Sequence, residues 1–576
     1  LPALAAVAAL AAAPERDRPP ARLSLPDPAG KVHALPGPGE ARAVVLFFTA
    51  VECPNAVRYL PRVAELHKAC SGRGVRFLAL YPNALDGKDE IAKQAGDFKL
   101  PFPALLDADQ RAADAYGVTV TPTAVLLDAA GKVRYRGAVD DNKAERLAGK
   151  HYLRDALDAV LAGKEVAVRE TEPAGCTIQR KLAESKQPTV TYASHVGRIL
   201  HAKCASCHRP GQVGPFSLLT YDQARRWATN IKAYTQSGAM PPWKPVNRGT
   251  FHGERWLPQE EIDLLARWAD AGAPLGDPAR VPPPPKFPDG WRLGQPDLVL
   301  EADEYEVAAE GSDEYRCFVL DPKLTRNRHV TAVEFLPGNP RIVHHAMTYI
   351  DLTGASVKLL GKDGKPGYSS RGTGPGFVPL GDLGGWGPGG MPIQWPEGMG
   401  RLLPRGSRIV LEVHYHKSGK PEKDRTRLGL HFARGPVKQR VRSTVVLNLR
   451  FRIPPGEKRH QVDAEWEVPD DLHAVAIQPH MHLTGREIKV TALLPDKTEK
   501  VMVHVKDWDF NQQELYQFQK PFALPAGTKV RLTAWFDNSA DNPNNPNKPP
   551  KMLRFGEQTT DEMCVAYINY VRDKEE

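Results

Sequence analysis

Gln478-Pro-His480-Met-His482-Leu-Thr-Gly-Arg486 is the stretch on which the reading of this chain turns. His480 and His482 stand two residues apart, so on a strand both point to one face, as two ligands of one metal must. Three further segments extend the pattern. Downstream, Met563 and Tyr567 lie in Thr560-Asp-Glu-Met-Cys-Val-Ala-Tyr567. Upstream, His344 and His345 lie in Arg341-Ile-Val-His-His-Ala-Met-Thr-Tyr349, and His414 lies in Leu411-Glu-Val-His-Tyr-His416. Imidazole suits copper and a thioether favours Cu(I), so a His480/His482/Met563 set would cycle between oxidation states and leave a position open. His344 and His345 are adjacent and would face opposite ways on a regular strand; binding one metal needs a local twist or bulge. Any one of these histidines alone reads more simply as packed or solvated. Five at this density, with a methionine, reverse that balance.

The surrounding chain reads as all-β. From about 297 onward, alternating runs such as Arg408-Ile-Val-Leu-Glu-Val-His-Tyr-His416 and Lys529-Val-Arg-Leu-Thr-Ala-Trp-Phe536 are separated by Gly, Pro and Asn turns, which favours β-sandwiches. His-His, Val-His-Tyr, His-x-His-Leu-Thr-Gly-Arg and Asp-Glu-Met-Cys-x-x-Tyr, in this order, resemble the copper type II, ascorbate-dependent monooxygenases. The resemblance implies two jelly-roll-like β-sandwich halves, each of a nine-stranded type and carrying one copper, facing across a solvent cleft. It puts an electron-transfer copper on His344, His345 and His414, and an oxygen-binding copper on His480, His482 and Met563. Tyr567 matches a substrate-holding Tyr of the family, and His416 falls outside the pattern and reads as a bystander. The implied reaction hydroxylates a C–H bond of an organic substrate with O2, with ascorbate as the family's electron donor.

Two departures bear on the substrate. The family's peptide-processing member has Arg and Asn, which anchor a substrate carboxylate, where this chain has Gln478 and Val565. Losing the Arg removes a bidentate, charge-assisted contact, which disfavours a peptidyl-glycine substrate. Cys317 and Cys564 sit at family Cys positions without their expected partners.

A second motif lies upstream. Cys204-Ala-Ser-Cys207-His208 is the attachment sequence for a c-type haem: two thiols bond the porphyrin and His208 supplies the proximal ligand. Zinc would need a second ligand pair, and no other Cys lies in this segment. Met240, in Ala239-Met-Pro-Pro-Trp243, is the candidate sixth ligand; His252, or a Met240 that merely packs, is the alternative. Residues 188–280, mostly helical, resemble a short class I cytochrome c. One haem passes one electron at a time, so the fused haem, or an external donor, could stand in for ascorbate.

The N-terminal part alternates strand and helix, the mark of an α/β domain. Cys53, in Glu52-Cys-Pro-Asn-Ala56, follows the apolar run Ala43–Thr49 and opens a helix, whose N-terminus lowers a thiol pKa. Thr121-Pro122-Thr123 then precedes another strand. This order resembles the thioredoxin-like or peroxiredoxin-like fold, which implies a cis Pro122 beside Cys53. The second Cys of a Cys-x-x-Cys is replaced by Ala56, so dithiol exchange within the motif is impossible. Cys70 and Cys176 remain open as resolving partners, and a retained docking or structural fold is the alternative to a reactive Cys53.

The 576 residues are too many for one core. The expected plan is a signal remnant at 1–20, a thioredoxin-like domain at 21–165, a linker at 166–187, a cytochrome c domain at 188–280, a Pro-rich linker at 281–296, and copper halves at 297–435 and 436–576. Leu1–Ala13, LPALAAVAALAAA, reads as the apolar part of a cleaved secretory signal, with a tethering anchor as the alternative, and no later stretch reads as a membrane span. A secreted or periplasmic location also suits haem attachment. The formal charge of +9 is spread among interleaved acids and bases without a Lys/Arg block, which speaks against nucleic-acid binding. Two rival functions stand beside the monooxygenase: a non-catalytic copper and haem electron carrier, and a thiol-redox protein centred on Cys53.

Overall fold

Ala43–Phe48 (β1) is apolar at every position because both of its faces are covered. It is the middle strand of a five-stranded sheet completed by β2 (Val75–Tyr81), β3 (Ala104–Leu106), β5 (Thr123–Asp128) and β6 (Val133–Gly137), in the order β3-β2-β1-β5-β6. β1, β2 and β3 run parallel, whereas β5 and β6 are antiparallel. A two-residue strand, β4 (Val120–Thr121), stands off this sheet and pairs with β7 (Cys176–Thr177). Helix α1 (Pro54–Ala69) leaves the end of β1 with Pro54 in its first turn, where proline's missing N–H costs nothing. Its buried Ala56, Tyr59, Leu60, Val63 and Leu66 fall at helical spacing and pack on the sheet. This is the expected thioredoxin-like arrangement, and Thr121–Pro122 is cis.

The computed structural model describes residues 23–35, 41–70, 72–141, 149–180, 188–288, 290–309, 311, 313–370, 374–387, 389–510, 512–556 and 558–573. The expected signal at 1–20 and part of the expected linker, 181–187, lie outside the described residues. Among the described residues no helix is long and apolar enough to cross a membrane.

The chain forms two compact units. The first holds the chain up to Tyr192 with Tyr221–Ala233 and Leu265–Gly276; the second holds Ala193–Thr220, Tyr234–Leu264 and the chain from Asp277 onward. The helices of the expected cytochrome segment, Gly197–Lys203, Tyr221–Arg226, Ala228–Gln236 and Gln259–Asp270, are thus divided between the units.

In the second unit the chain from Leu298 is almost entirely strand. One sheet contains β8 (Leu298–Glu301), β14 (Arg427–Phe432), β10 (Arg328–Leu336) and β12 (Met399–Leu403); the facing one centres on β9 (Glu314–Leu320), β13 (Arg408–Tyr415) and β11 (Val343–Asp351). Their inner residues, among them Phe318, Val330, Leu411 and Leu428, form one core, which also takes in Val475, Ala476 and Val571 from the following half. That C-terminal half packs two four-stranded sheets. One has the order β15 (Arg442–Leu447), β22 (Val565–Arg572), β17 (Leu472–His480), β20 (Tyr516–Leu524). The other has the order β16 (His460–Glu467), β21 (Lys529–Phe536), β18 (Gly485–Leu493), β19 (Glu499–Val505).

Candidate metal centres

β11 and β13 are neighbours, and their pairing brings His345 opposite His414. The register slips between Val343 and His345, so His344 occupies a bulge. The bulge turns it to the side of its neighbour, as two adjacent ligands require. Nδ1 of His345 lies 3.2 Å from Nδ1 of His344 and 3.3 Å from Nδ1 of His414. The ligating nitrogens of the three residues all fall within 4.8 Å of one another. Burial, with the neighbouring His414, His344 and His480, holds His345 well below its ordinary pKa. Three imidazoles with converging nitrogens are a donor set suited to copper.

Asp313 fixes this arrangement. Its Oδ2 accepts from Nε2 of His414 at 3.0 Å, which leaves Nδ1 of His414 as the lone-pair nitrogen. Burial acts to raise the Asp313 pKa, but hydrogen bonds from His414 and His416 hold it far below the usual carboxylate range. His416 reaches Asp313 Oδ1 at 3.1 Å, so it is no bystander: it shares the carboxylate that orients a ligand. Tyr315 stacks on the His414 ring, with centroids 4.1 Å apart and planes at 10°.

His480 and His482 come together differently from the expectation. β17 ends at His480, and His482 lies beyond it in the turn before β18, so strand alternation does not align the pair. Their rings nevertheless stand edge to face at 5.2 Å. Each Nδ1 is engaged, in His480 by the side-chain oxygen of Gln513 and in His482 by the Asp561 carbonyl at 3.2 Å. Burial and then His482 push the His480 pKa down to about 4, and burial lowers that of His482.

One buried carboxylate binds this region together. Glu562 Oε2 accepts from the backbone N–H of His482 at 2.8 Å and of Met563 at 3.1 Å. Its Oε1 accepts from the Thr484 N–H and hydroxyl, both at 2.7 Å. The His turn and the Met loop are therefore pinned to the same side chain. On the adjoining strands Gln478 lies opposite Tyr567, and His480 opposite Val565, so these four share one face. Cys317 and Cys564 are buried free thiols. Asp313, Gln513 and Glu562 do not stand out in the sequence; of these three only Glu562, beside Met563, has a local signal.

The Cys204–His208 loop follows helix Gly197–Lys203. His208 N–H donates to the Cys204 carbonyl at 2.9 Å, folding the motif into a tight turn. His208 Nδ1 lies 3.2 Å from the Phe216 carbonyl, so Nε2 is the free nitrogen. A Cβ on Gly214 would come within 2.6 Å of the Cys207 carbonyl and 2.9 Å of His208 Nδ1, so only glycine fits there. Two unpaired thiols and an imidazole tied at Nδ1 suit a covalent haem. Met240 is 40% exposed. Beyond it, Trp243 packs edge-on against Tyr516 at 5.4 Å and Arg255 pairs with Glu514, both in the C-terminal half. On the other side of the motif, a Cβ at Gly389 would lie 2.9 Å from Cys207 Sγ.

In the first unit Cys53 is the N-cap of α1 and has no exposed surface. Its thiol donates to the Thr121 carbonyl at 3.3 Å. Burial opposes ionisation, but hydrogen bonds from Cys176 and from backbone N–H groups at the start of α1 bring its pKa down to about 7.

The converging imidazoles of His344, His345 and His414 form a group able to hold a metal ion on a β-sandwich, in a chain that also carries a thioredoxin-like domain. Residues 444–576 match the copper type II ascorbate-dependent monooxygenase C-terminal domain, and residues 19–136 match the AhpC/TSA family. The chain thus matches a redoxin family model near its start and a copper monooxygenase family model near its end, each over part of its length. It is similar to DBH-like monooxygenase protein 1 of Gallus gallus, at 23% identity over 43% of this chain and 42% of that protein. It is also similar to dopamine beta-hydroxylase of Equus caballus, at 29% over 33% of this chain and 32% of that protein. The thiol-disulfide oxidoreductase ResA of Geobacillus thermodenitrificans is 34% identical over 19% of this chain and 62% of its own length. The chain thus spans less than half the length of these monooxygenase relatives.

Proposed function

We propose that the C-terminal half is a copper monooxygenase that inserts one oxygen atom of O2 into a C–H bond of an organic substrate. The observation that carries this reading is the convergence of the His344, His345 and His414 Nδ1 atoms, with a second, unlike histidine pair tied through Glu562 to the methionine loop. Substrate R–H, O2, two electrons and two protons give R–OH and water. Copper, when bound, supplies one-electron redox chemistry and an open position for oxygen.

His344, His345 and His414 hold the electron-transfer copper, and Asp313 keeps the His414 tautomer that ligates. His480, His482 and Met563 hold the oxygen-side copper, their geometry set by Glu562 and Gln513. Gln478, Val565 and Tyr567 line the same face as His480 and bring no charge to it. A substrate without a carboxylate suits that face.

Ascorbate dependence belongs to the family by name, and the chain offers a second donor. Cys204 and Cys207 carry a c-type haem with His208 as proximal ligand and Met240 as the sixth ligand. Its motif adjoins Gly389, and the chain beyond Met240 docks on the C-terminal half; both neighbours support delivery of electrons to the coppers. A c-type haem is attached outside the cytoplasm, which supports a periplasmic or secreted location.

The test is metal content and oxygen consumption on one purified sample. Two coppers and one haem per chain are expected, with reductant-dependent uptake that disappears in His482→Ala and Met563→Ala. Haem without copper, or uptake indifferent to both substitutions, overturns the reading in favour of an electron carrier. Mixing pre-reduced haem anaerobically with the Cu(II) form tests the donor: haem that stays reduced removes it from the scheme.

A further inference from the structure

β7 (Cys176–Thr177) is laid on the redoxin domain from a segment well beyond its last helix, Tyr152–Leu161. Several contacts seat it. Thr121 pairs with Cys176, and Ile178 N–H donates to the Thr119 carbonyl at 2.9 Å. The Asn230 side chain clamps Thr177, accepting from its N–H at 3.1 Å and donating to its carbonyl at 3.2 Å. Gln179 N–H donates to Asn83 at 2.9 Å. A Cβ at Gly175 would come within 2.0 Å of the Thr121 carbonyl, so the chain can pass here only as glycine.

The result is that Cys176 is set against Cys53. The two pack in one small cluster with Ala50 and Ala56, and the Cys176 thiol and backbone N–H are both hydrogen-bonded to the Cys53 sulfur. Cys70 is excluded as a partner. It caps the far end of α1, and 16 helical residues separate the ends by roughly 24 Å.

We propose that Cys53 and Cys176 form a reversible disulfide, made by exchange with an external disulfide, that replaces the missing Cys-x-x-Cys and staples β7 onto β4. Cys53 has no exposed surface and Cys176 retains 7%, which sets the order of events. Cys176, its proton passing to solvent, attacks an incoming R–S–S–R. The R–S–S–R bond breaks, one RS⁻ leaves and takes up a proton, and a mixed disulfide remains on Cys176. The Cys53 thiolate, stabilised at the α1 N-terminus, then attacks the Cys176 sulfur. The Cys53–Cys176 bond forms and the second RS⁻ leaves. The protein pair loses two electrons and two protons, and the external disulfide becomes two thiols.

The test treats the whole protein with glutathione disulfide and maps the peptides without reduction. A single Cys53–Cys176 link that carries no glutathione and reopens in excess reduced glutathione is the expected result. Cys53→Ser should instead accumulate glutathione on Cys176, and Cys176→Ser should leave Cys53 unmodified. No link, a link through Cys70, or a link that glutathione cannot reopen overturns the proposal. So does a Cys176→Ser protein that takes glutathione on Cys53. The wild-type map decides the pairing even if either variant fails to fold.

Discussion

The two histidine sets of the second unit use opposite ring nitrogens. In the first, the three Nδ1 atoms converge and Nε2 of His414 is spent on Asp313. In the second, both Nδ1 atoms are spent on Gln513 and the Asp561 carbonyl, so on the proposed function Nε2 would be the ligating atom. Nδ1 lies nearer the backbone than Nε2, so the first set would hold a metal close against two paired strands. On the proposed function the second set would hold it farther out, with His482 and Met563 outside the strands. A close, strand-borne, all-imidazole set suits a centre that passes electrons without changing its ligands. A projecting set with a thioether suits a centre that must admit oxygen and substrate. On the proposed function, one chain would separate the two tasks by ring orientation, using the same residue type.

The largest effect that could break this division is ligand loss. His482→Ala should abolish oxygen uptake and lower bound copper from two per chain to one, with the remaining copper in an all-nitrogen environment by X-ray absorption. His414→Ala should leave the thioether-bearing centre occupied, yet stop turnover for want of electrons. If both variants lose both metals, the centres are not independent and the division fails. Next come the orienting carboxylates, which touch no metal. Asp313→Asn and Glu562→Gln should each weaken copper binding about 10–100-fold, the usual cost of losing an outer-shell partner, and each at its own centre only. Competition with a chelator, read by electron paramagnetic resonance, distinguishes the two.

A smaller and reversible effect is the order of copper removal. Thioether ligation favours Cu(I) and imidazole alone favours Cu(II) less selectively. A Cu(I) chelator acting on reduced protein should therefore strip the His344/His345/His414 centre first. A Cu(II) chelator acting on oxidised protein should strip the His480/His482/Met563 centre first. The same order under both conditions would remove the functional distinction between the two ligand sets.

What the sequence made legible were the features that local spacing fixes. The apolar β1, the Cys53 helix start, the β-rich C-terminal half and the need for a bulge at His344–His345 all follow from periodicity and side-chain direction. Strand alternation misled at His480 and His482, because β17 stops at His480 and a turn, not a pleat, brings the rings together. Asp313 and Gln513 were illegible for a different reason: each meets its histidine only through tertiary packing, 101 and 33 residues away. The same holds for Cys53 and Cys176, whose meeting depends on a segment doubling back after the redoxin domain has closed. His416 was discarded for standing outside a motif, although i, i+2 spacing from His414 put it beside the same carboxylate.

The subtlest test concerns the face the second centre presents to substrate. Gln478 and Tyr567 are cross-strand neighbours, two positions along from His480 and Val565. Gln478→Arg adds a planar cation there without touching a ligand, so copper content and the all-imidazole centre should be unchanged. A substrate bearing a carboxylate within reach gains a charge-assisted contact of about 1.5–3 kcal/mol, which lowers its KM about tenfold or more. A neutral substrate of the same shape gains nothing, and its KM rises if the longer side chain crowds Tyr567. Paired KM measurements on a carboxylate and its amide read the difference directly. Equal changes for both would mean that the Gln478–Tyr567 face does not meet substrate, and that selectivity is set elsewhere around the projecting centre.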